Sequence, residues 1–555
     1  MKTILRITSI CFTILLSHEL SVSQITADSL LNLYTNTRAD NLLRLSFTAS
    51  EWDSMLGELK SQANAYEELR RIHFPNSLSP ALIFQPFPVG FIIPHNQIIT
   101  RWSVPTIKER PKNDADLAFL SLTDLAELIR TQKISSVELT RFFLKRLKKH
   151  DSTLHCVITY TDSLALAQAE QADAEIKAGK DRGFLHGIPY GLKDIISVRG
   201  YPTTWGSPLY ENREIHVDAT VYQRLREAGA VLVAKLSVGE FAYGDVWFGG
   251  KTRNPWNPDS GSSGSSAGSA SAVSAGLLPF AIGTETWGSI VTPSTLCGTT
   301  GLRPTFGRVS RAGAMSLCPS MDKIGPICRS VEDCAIVFGA IYGLDPLDPA
   351  TVSASFNYTP VVDFTKLHIG YLKYDLEKDT SWAKQTAATL DAFRKMGATL
   401  VEIEVPDLPI MAMSIIVTAE AAAMFDELTR TNQDDKMVRQ TKDAWPNLFR
   451  AARFIPAVEY IQANRLRTIV IEKMAETMSK VDLYITPSLD DRTTLLTNLT
   501  GHPAVVVPNG FDKSGTPTSI CFIGRLLDEA TLLAVAKTYQ DATGFNKPRP
   551  PLFAK

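Results

Sequence analysis

The chain has 555 residues, of which 44% are hydrophobic and 21% are charged, and its formal net charge at pH 7 is −1. A chain of this length and composition can bury a large core, which favours one large domain with an N-terminal extension over several equal modules. A net charge this close to zero gives no electrostatic case for a nucleic-acid partner, so we expect none.

The first 23 residues have the pattern of a secretory signal peptide. Met1–Arg6 supplies positive charge, Ile7–Leu16 forms an apolar core, and Ser21–Ser23 provides a small-x-small cleavage site. The apolar core is too short for a spanning helix, and no later stretch is long and apolar enough to span a membrane. We therefore expect residues 1–23 to be removed and the mature protein to be secreted or periplasmic.

Residues 24–115 predict a helical N-terminal extension and a connector. Residues 28–75 have a helical pattern, with a start signal at Ser46–Glu51. Prolines recur through residues 76–113, which predicts an extended segment.

Helical and strand patterns alternate from residue 116 to residue 555. Helices are predicted near 122–131 and 136–149, and Ser135 with Glu138 forms a capping-box pattern for the second helix. Strands, with helices between them, are predicted near 156–160, 188–193, 231–235, 367–371, 400–405, 483–487, 504–507 and 521–524. This alternation predicts an α/β fold in which helices sandwich a mixed, mainly parallel central sheet.

Three segments of this region carry residues suited to chemistry. A serine- and glycine-rich run spans Gly264–Ser269, and a second run, Gly283–Ile290, contains Ser289. Runs of this composition are usually flexible linkers, but the first run leads into apolar residues 277–282, which predicts burial. The third segment, Gly187–Asp194, places Lys193 at the end of an apolar strand pattern.

Hydroxyls and a buried lysine together indicate acyl transfer without a histidine. A serine hydroxyl is a weak nucleophile that needs a base, and lysine acts as a base only when it is neutral. Burial away from carboxylates lowers a lysine pKa because it disfavours the ammonium form. An apolar strand that leads to Lys193 is therefore the setting that this chemistry requires.

The three segments together resemble the amidase signature family, whose members cut amide bonds with a Ser, a cis-Ser and a Lys. The flanking runs at 254–259 and 297–305 agree with the family pattern, and the resemblance covers roughly residues 118–545. It implies that Ser289 is the nucleophile, that Ser265 relays its proton, and that Lys193 is the base.

The resemblance also implies a cis peptide bond at Ser265 and an oxyanion hole of backbone N–H groups. The donors of this hole would belong to Thr286, Trp287, Gly288 and Ser289. We expect a small-molecule or peptide amide as substrate and no cofactor.

Two positions depart from the common family pattern. Trp287 stands where many members carry glycine, and Val291 stands where many carry arginine. Peptide-amidase-like relatives have a similar run with a non-glycine residue, so the tryptophan is compatible with activity, and we expect its indole to reshape the substrate pocket. The missing arginine removes a clamp for an anionic group, which argues against carboxylate-bearing substrates.

Cysteines and histidines give no sign of a metal site. Six cysteines follow the signal peptide without Cys-x-x-Cys spacing, most of them in apolar contexts typical of buried free thiols. The histidines show no paired ligand spacing, so we expect no metal. The sequence leaves any disulfide pairing and the oligomeric state open.

Two other functions fit the same core. One is the glutamine-hydrolysing subunit of a tRNA-dependent amidotransferase, against which the signal peptide and the missing arginine count. The other is a catalytically silent binding protein whose site Trp287 blocks. The substrate itself is not identified, although large apolar residues between about 405 and 480 could line an acyl pocket or simply belong to the core: Met411, Met413, Met424, Phe425, Trp445 and Phe449.

Overall fold

The structure, a computed structural model, describes residues 48–373 and 383–554. The chain divides into two compact units, residues 1–75 and residues 76–555. The expected signal peptide at 1–23 and the first part of the expected helical segment, residues 28–47, lie outside the described residues. In the part of the chain that the structure describes, no helix is long and apolar enough to cross a membrane.

The described part of the first unit is one helix, α1, at Ala49–Arg70. Thr48 precedes it, and the Thr48 hydroxyl accepts a hydrogen bond from the Glu51 backbone while the Glu51 carboxylate accepts one from the Thr48 backbone. This reciprocal pair satisfies two donors that a helix start leaves unpaired. The start signal that the sequence places at Ser46–Glu51 is therefore present in the structure.

The second unit begins with a segment that has neither helix nor strand, residues 76–113, as its prolines predict. We call residues 76–107 the N-terminal strap. Asn76 makes two hydrogen bonds with the Ser316 backbone, from its Nδ2 to the carbonyl (2.9 Å) and from the Ser316 amide to its Oδ1 (2.8 Å). Further along the strap, the Gln97 side chain donates to the Phe356 carbonyl at 2.9 Å. The strap is thus fixed by specific hydrogen bonds to residues far along the chain.

The described part of the second unit contains fifteen α-helices. They are α2 Asp114–Ala118, α3 Leu122–Arg130, α4 Ser136–Leu154, α5 Asp162–Lys177, α6 Thr220–Glu227, α7 Ala267–Ser274, α8 Val291–Cys297, α9 Val331–Ile341, α10 Ala383–Lys395, α11 Ile415–Met424, α12 Asp426–Arg430, α13 Trp445–Ala452, α14 Ala457–Met478, α15 Asp491–Leu499 and α16 Glu529–Thr543. The capping box predicted for Ser135 and Glu138 is present at the start of α4.

The strands are β1 Val157–Tyr160, β2 Pro189–Lys193, β3 Val231–Leu236, β4 Val246–Trp247, β5 Gly250–Lys251, β6 Arg253–Asn254, β7 Asn257–Gly261, β8 Phe280–Glu285, β9 Thr300–Arg303, β10 Lys323–Cys328, β11 His368–Tyr371, β12 Thr399–Glu402, β13 Leu483–Pro487, β14 Ala504–Phe511 and β15 Pro517–Gly524. In the described chain, eleven of them form one sheet in the order β1-β3-β2-β8-β10-β9-β14-β15-β13-β11-β12. Two small hairpins, β4 with β5 and β6 with β7, stand apart from it.

The mixed sheet between layers of helices confirms the predicted α/β fold. Its parallel share is smaller than the sequence predicts, because only four of the ten strand pairings in the described part of the sheet are parallel. The difference comes from β9 and β10, which the sequence analysis does not identify, and from β14 and β15, which pair antiparallel with each other. The connection between β14 and β15 is short and reverses the chain without a crossover helix.

Buried strands at the centre of the sheet position the residues of chemical interest. Every residue of β2, β3, β8 and β10 is buried, which is typical of strands covered by helices on both faces. Strand β2 pairs in parallel with both β3 and β8. Because carboxyl ends of parallel strands meet at one edge, the ends of β2 and β8 bring Lys193 beside Thr284 and Glu285.

Candidate active site

Lys193 is the last residue of β2, and its side chain is fully buried. Its Nζ lies within hydrogen-bonding distance of four oxygens: the Ser265 hydroxyl at 2.7 Å, the Thr284 hydroxyl at 2.7 Å, the Ser266 hydroxyl at 3.1 Å and the Thr284 carbonyl at 3.4 Å. A neutral amine has two hydrogens and one lone pair. Thr284 and Ser266 can accept the two hydrogens, which leaves the lone pair free to face the proton of Ser265.

Burial lowers the pKa of Lys193 well below its usual range, and the carboxylates of Asp322 and Glu285 act against this shift. In the described chain no carboxylate forms an ion pair with the Lys193 amine, in contrast to Lys235 on β3, which lies 2.6 Å from Asp194. Unlike Lys235, the buried Lys193 therefore has only hydroxyls and a carbonyl of the described residues around its amine. The neutral amine that a base requires is favoured there.

Ser265 lies in the loop that joins β7 to α7, and the peptide bond between Gly264 and Ser265 is cis, as the family resemblance implies. The backbone of this loop runs against a neighbouring loop. A Cβ at Gly264 would lie 1.9 Å from the Gly244 carbonyl oxygen, so only glycine fits at this position. The close packing fixes the Ser265 hydroxyl against Lys193.

The turn Thr286–Ser289 joins β8 to α8 and carries the second serine. The Ser266 amide donates to the Ser289 carbonyl at 3.2 Å, which ties this turn to the loop of Ser265. Ser289 is 9% exposed, and its hydroxyl makes no hydrogen bond with any described residue. The structure thus brings Lys193 and Ser265 into direct contact and joins Ser289 to them through the backbone.

The backbone at Trp287 has no positive φ. The positive φ of this turn, +84°, falls at Gly288, where a Cβ would also lie 2.8 Å from the Thr292 hydroxyl. The Trp287 side chain is half-buried, and its indole nitrogen donates to the Asp491 carbonyl at 3.3 Å. The indole is therefore anchored to the start of α15, and the tryptophan introduces no positive φ into the turn.

Glu285 is a buried residue that sequence reasoning missed. Its carboxylate accepts hydrogen bonds from the Ile290 and Val291 amides at 2.8 and 2.9 Å, and it pairs with Arg303 at 2.8 Å. Burial acts to raise the pKa of Glu285, but Arg303 and the hydrogen bonds outweigh it and hold the pKa at about 2. The sequence did contain a signal for Glu285, namely a charged residue within the run 283–290, which apolar residues flank. The hydrogen bonds of Glu285 therefore connect the two ends of the turn that carries Ser289.

The apolar residues proposed for an acyl pocket belong mostly to the core. Four of the six are buried within the hydrophobic clusters, one is partly buried and one is exposed: Met413, Phe425, Trp445 and Phe449, then Met424, then Met411. The alternative that they are core residues is therefore favoured for these four.

A Ser-x-x-Lys spacing at Ser320 and Lys323 does not form a site. The Ser320 hydroxyl donates to Glu420 at 2.7 Å, whereas the Lys323 amine donates to the Met321 carbonyl. The cysteines follow the expectation of buried thiols, since all six in the described chain are free and buried: Cys156, Cys297, Cys318, Cys328, Cys334 and Cys521.

Known proteins share this arrangement of segments. The family model described as Amidase matches residues 138–533. The chain is 35% identical over 482 residues to a glutamyl-tRNA(Gln) amidotransferase subunit from a Roseiflexus species, and the alignment covers 78% of this chain and 98% of that protein.

Solved structures give the same result. The native peptide amidase from Stenotrophomonas maltophilia matches with a TM-score of 0.71 at 30% identity, over 80% of this chain and 100% of that chain. An amidase family protein from Bacillus anthracis matches with a TM-score of 0.70 at 26% identity, over 79% of this chain and 93% of that chain. The likeness extends over the fold as well as over the sequence.

Proposed function

Because the chain belongs to the amidase signature family, we propose that it hydrolyses an amide bond through an acyl-enzyme on Ser289, with Ser265 and Lys193 as its proton relay. The observation that best supports this proposal is the 2.7 Å contact between the Lys193 amine and the Ser265 hydroxyl inside a fully buried setting. A lysine that is buried among hydroxyls favours the neutral amine, which is the form that can act as a base.

In the first half-reaction, neutral Lys193 takes the Ser265 proton while Ser265 takes the Ser289 proton. The Ser289 oxygen bonds to the carbonyl carbon of the amide, and the carbonyl oxygen becomes an oxyanion. Collapse of this intermediate breaks the C–N bond, and the relay returns its proton to the leaving nitrogen. Water then attacks the ester carbonyl of the acyl-enzyme, and the carboxylic acid leaves as Ser289 regains its proton.

Backbone N–H groups of the turn Thr286–Ser289 are the proposed donors to the oxyanion. Donors that are fixed before the reaction stabilise the developing charge without reorganising, and loss of one such donor costs about 3 kcal/mol in activation free energy. Two features support a fixed turn here. Glu285 holds the amides that follow Ser289, and the positive φ falls at glycine.

Two experiments test the proposed function. The first is labelling of the purified protein with an alkyl fluorophosphonate, followed by mass spectrometry of the peptide that contains Ser289. The second is a panel of peptide C-terminal amides, fatty amides, aryl amides and glutamine, followed for release of ammonia or amine. Labelling at Ser289 together with turnover of one class supports the proposal, and a protein that reacts with neither probe nor panel contradicts it.

The curated relatives favour a second candidate, a glutamine-hydrolysing subunit of an amidotransferase. The relative quoted above carries the name of such a subunit at 35% identity. Against this candidate, position 291 is a buried valine in α8, so no arginine side chain is available there to hold the α-carboxylate of glutamine. In the panel, glutamine turnover that exceeds that of every neutral amide would favour the amidotransferase subunit over the independent amidase.

Trp287 is proposed to select the acyl group, because its indole lies beside the turn of Ser289. We expect Trp287→Gly to keep the fold and the fluorophosphonate labelling, and to shift the preferred acyl group toward bulkier ones by roughly tenfold. The measurement is the ratio of kcat/KM for a bulky and a small acyl amide. Trp287→Phe is the matched control, since it removes the indole N–H but keeps an aromatic ring.

The control separates pocket volume from the hydrogen bond to Asp491. If both variants shift the preference equally, the anchoring bond and not the volume decides it. If the wild type reacts with no probe and Trp287→Gly switches labelling on, the protein is the silent binder whose site the indole blocks.

Export is part of the proposed function and depends on residues 1–23. We propose that the mature protein acts outside the cytoplasm after cleavage behind Ser23. N-terminal sequencing of the protein recovered from cell fractions tests this, and a protein that keeps Met1 would contradict it.

A further inference from the structure

Asp322 lies immediately before β10, at a place that the family chemistry described above does not use. Strand β10 runs antiparallel to β8, and the register pairs Lys323 with Glu285. In an antiparallel pair, the residue before Lys323 lies opposite the residue after Glu285. Asp322 therefore faces Thr286, the first residue of the turn that carries Ser289. The Thr286 hydroxyl donates to Asp322 Oδ1 at 2.5 Å.

The other oxygen of the same carboxylate is held by the backbone. Asp322 Oδ2 accepts from the Leu317 amide at 2.8 Å and from the Cys318 amide at 2.9 Å. These bonds fix the carboxylate independently of Thr286. The short contact between the two side chains therefore places the threonine against a fixed acceptor.

We propose that Asp322 is a positioning residue that holds the turn Thr286–Ser289 through the Thr286 hydroxyl, so that the backbone donors of the turn keep their aim at the oxyanion. The inference rests on the proposed acyl-enzyme at Ser289. Glu285 fixes the amides that follow Ser289, and Asp322 fixes the residue that opens the turn. The turn is thus held at both ends by a carboxylate.

Asp322 also carries charge into the neighbourhood of the base. Its carboxylate acts against the lowering of the Lys193 pKa, and so does Glu285. Arg311 and Lys323 are the other charged groups that interact with Asp322. Removal of the Asp322 charge should therefore lower the pKa of Lys193 further, whereas removal of the Thr286 hydroxyl should leave it unchanged.

The two side chains can be separated by experiment because they differ in this respect. The probe is an alkyl fluorophosphonate, whose phosphoryl oxygen occupies the place of the oxyanion. We expect Thr286→Val, which has the same shape as threonine, to lower the maximal labelling rate by about tenfold to a hundredfold at an unchanged half-saturating concentration. Thr286→Ser should keep most of the rate because it keeps the hydroxyl.

For Asp322→Asn we expect a similar loss of maximal labelling rate. In addition, the rising limb of its pH profile of labelling should shift to lower pH. The limb of Thr286→Val should remain at the wild-type pH. Matched controls come from buried groups away from the turn. Thr140→Val removes a hydroxyl without a hydrogen-bond partner among the described residues, and Asp333→Asn changes a buried acid that accepts from the Leu122 amide.

The inference would be overturned if the maximal labelling rate of Thr286→Val stays within threefold of the wild-type rate. It would also be overturned if only the half-saturating concentration of the probe changes and the maximal rate does not. Failure here is distinct from failure of the proposed function. If Ser289→Ala is still labelled at the same peptide, the acyl-enzyme proposal fails. If only Ser289→Ala loses labelling, the acyl-enzyme proposal stands and the role of Asp322 is wrong.

Discussion

Replacing Ser289 with alanine is expected to lower kcat by about 10⁵-fold while leaving the melting temperature unchanged. The substitution removes one hydroxyl, which makes no hydrogen bond with a described residue, so the fold loses no contact of its own. The reaction loses the atom that bonds to the carbonyl carbon. Turnover of the best amide of the panel, with the melting temperature measured alongside, checks this expectation.

Ser294→Ala is the matched control for this variant. Ser294 lies in α8, a few residues after Ser289, and its buried hydroxyl has no hydrogen-bond partner among the described residues. We expect it to retain kcat within a few-fold. Retention by Ser289→Ala of more than about a hundredth of the wild-type rate would remove Ser289 from the role of nucleophile.

Lys193→Ala is expected to lower kcat by about 10³-fold to 10⁴-fold, because it removes the base. Ser265→Ala should cost less, about 10²-fold to 10³-fold, since a water molecule can partly bridge the gap between base and nucleophile. Lys193→Arg should be as inactive as Lys193→Ala, because a guanidinium keeps its proton. The rates of the three variants under one set of conditions give the comparison.

The pH profile of the wild type follows from the same lysine. Below its pKa Lys193 is protonated and cannot accept a proton, so activity is low; above its pKa the amine is neutral and activity reaches its plateau. Burial lowers the pKa of Lys193 well below its usual range, so the rise should occur at lower pH than for an exposed lysine.

Lys323→Met is the control for loss of a buried lysine as such. Lys323 lies on β10, and burial, together with the charge of Arg303, lowers its pKa to about 7. Its amine bonds to a carbonyl and not to a hydroxyl, so this variant should remain active. A flat profile between roughly pH 5 and 9, with activity intact in Lys193→Ala, would rule out lysine as the base.

Local signals in the sequence account for most of the fold. The start signal at Ser46–Glu51 and the capping box at Ser135 each consist of residues a few positions apart, and the structure contains a helix start at both places. Strands such as β2 and β13 are apolar runs with clear ends, and their predicted limits differ from the structure by at most one residue. Signals of this kind depend on neighbours along the chain, which a single sequence displays directly.

The sequence predicts the structure less well at places where segments that are distant along the chain meet. Strands β9 and β10 are four and six residues long, and their antiparallel partners are set by tertiary pairing, so their contribution to a mixed sheet was not visible. Glu285 and Asp322 owe their importance to partners across the sheet, Arg303 and Thr286, and not to their spacing in a motif. Long-range pairing of this kind leaves no periodic pattern.

For the candidate site, the resemblance identified the three residues that the structure then places at one edge of the sheet. Lys193 and Ser265 touch, and Ser289 follows through the backbone. Physical reasoning alone gave the residue types and the need for burial, but the cis peptide bond came only from the resemblance. The surroundings of Lys193, with Thr284 and Ser266 as acceptors, required the structure.

The N-terminal strap has a consequence for synthesis. Asn76 and its partner Ser316 are 240 residues apart, and Gln97 and Phe356 are 259 apart. At translation rates of about 5 to 20 residues per second, the strap leaves the ribosome roughly 10 to 50 seconds before the residues that bind it. Even when docked it exposes large apolar side chains, among them Val89 and Ile99. The strap is therefore synthesised well before the residues that bind it, and it cannot dock until those residues have left the ribosome.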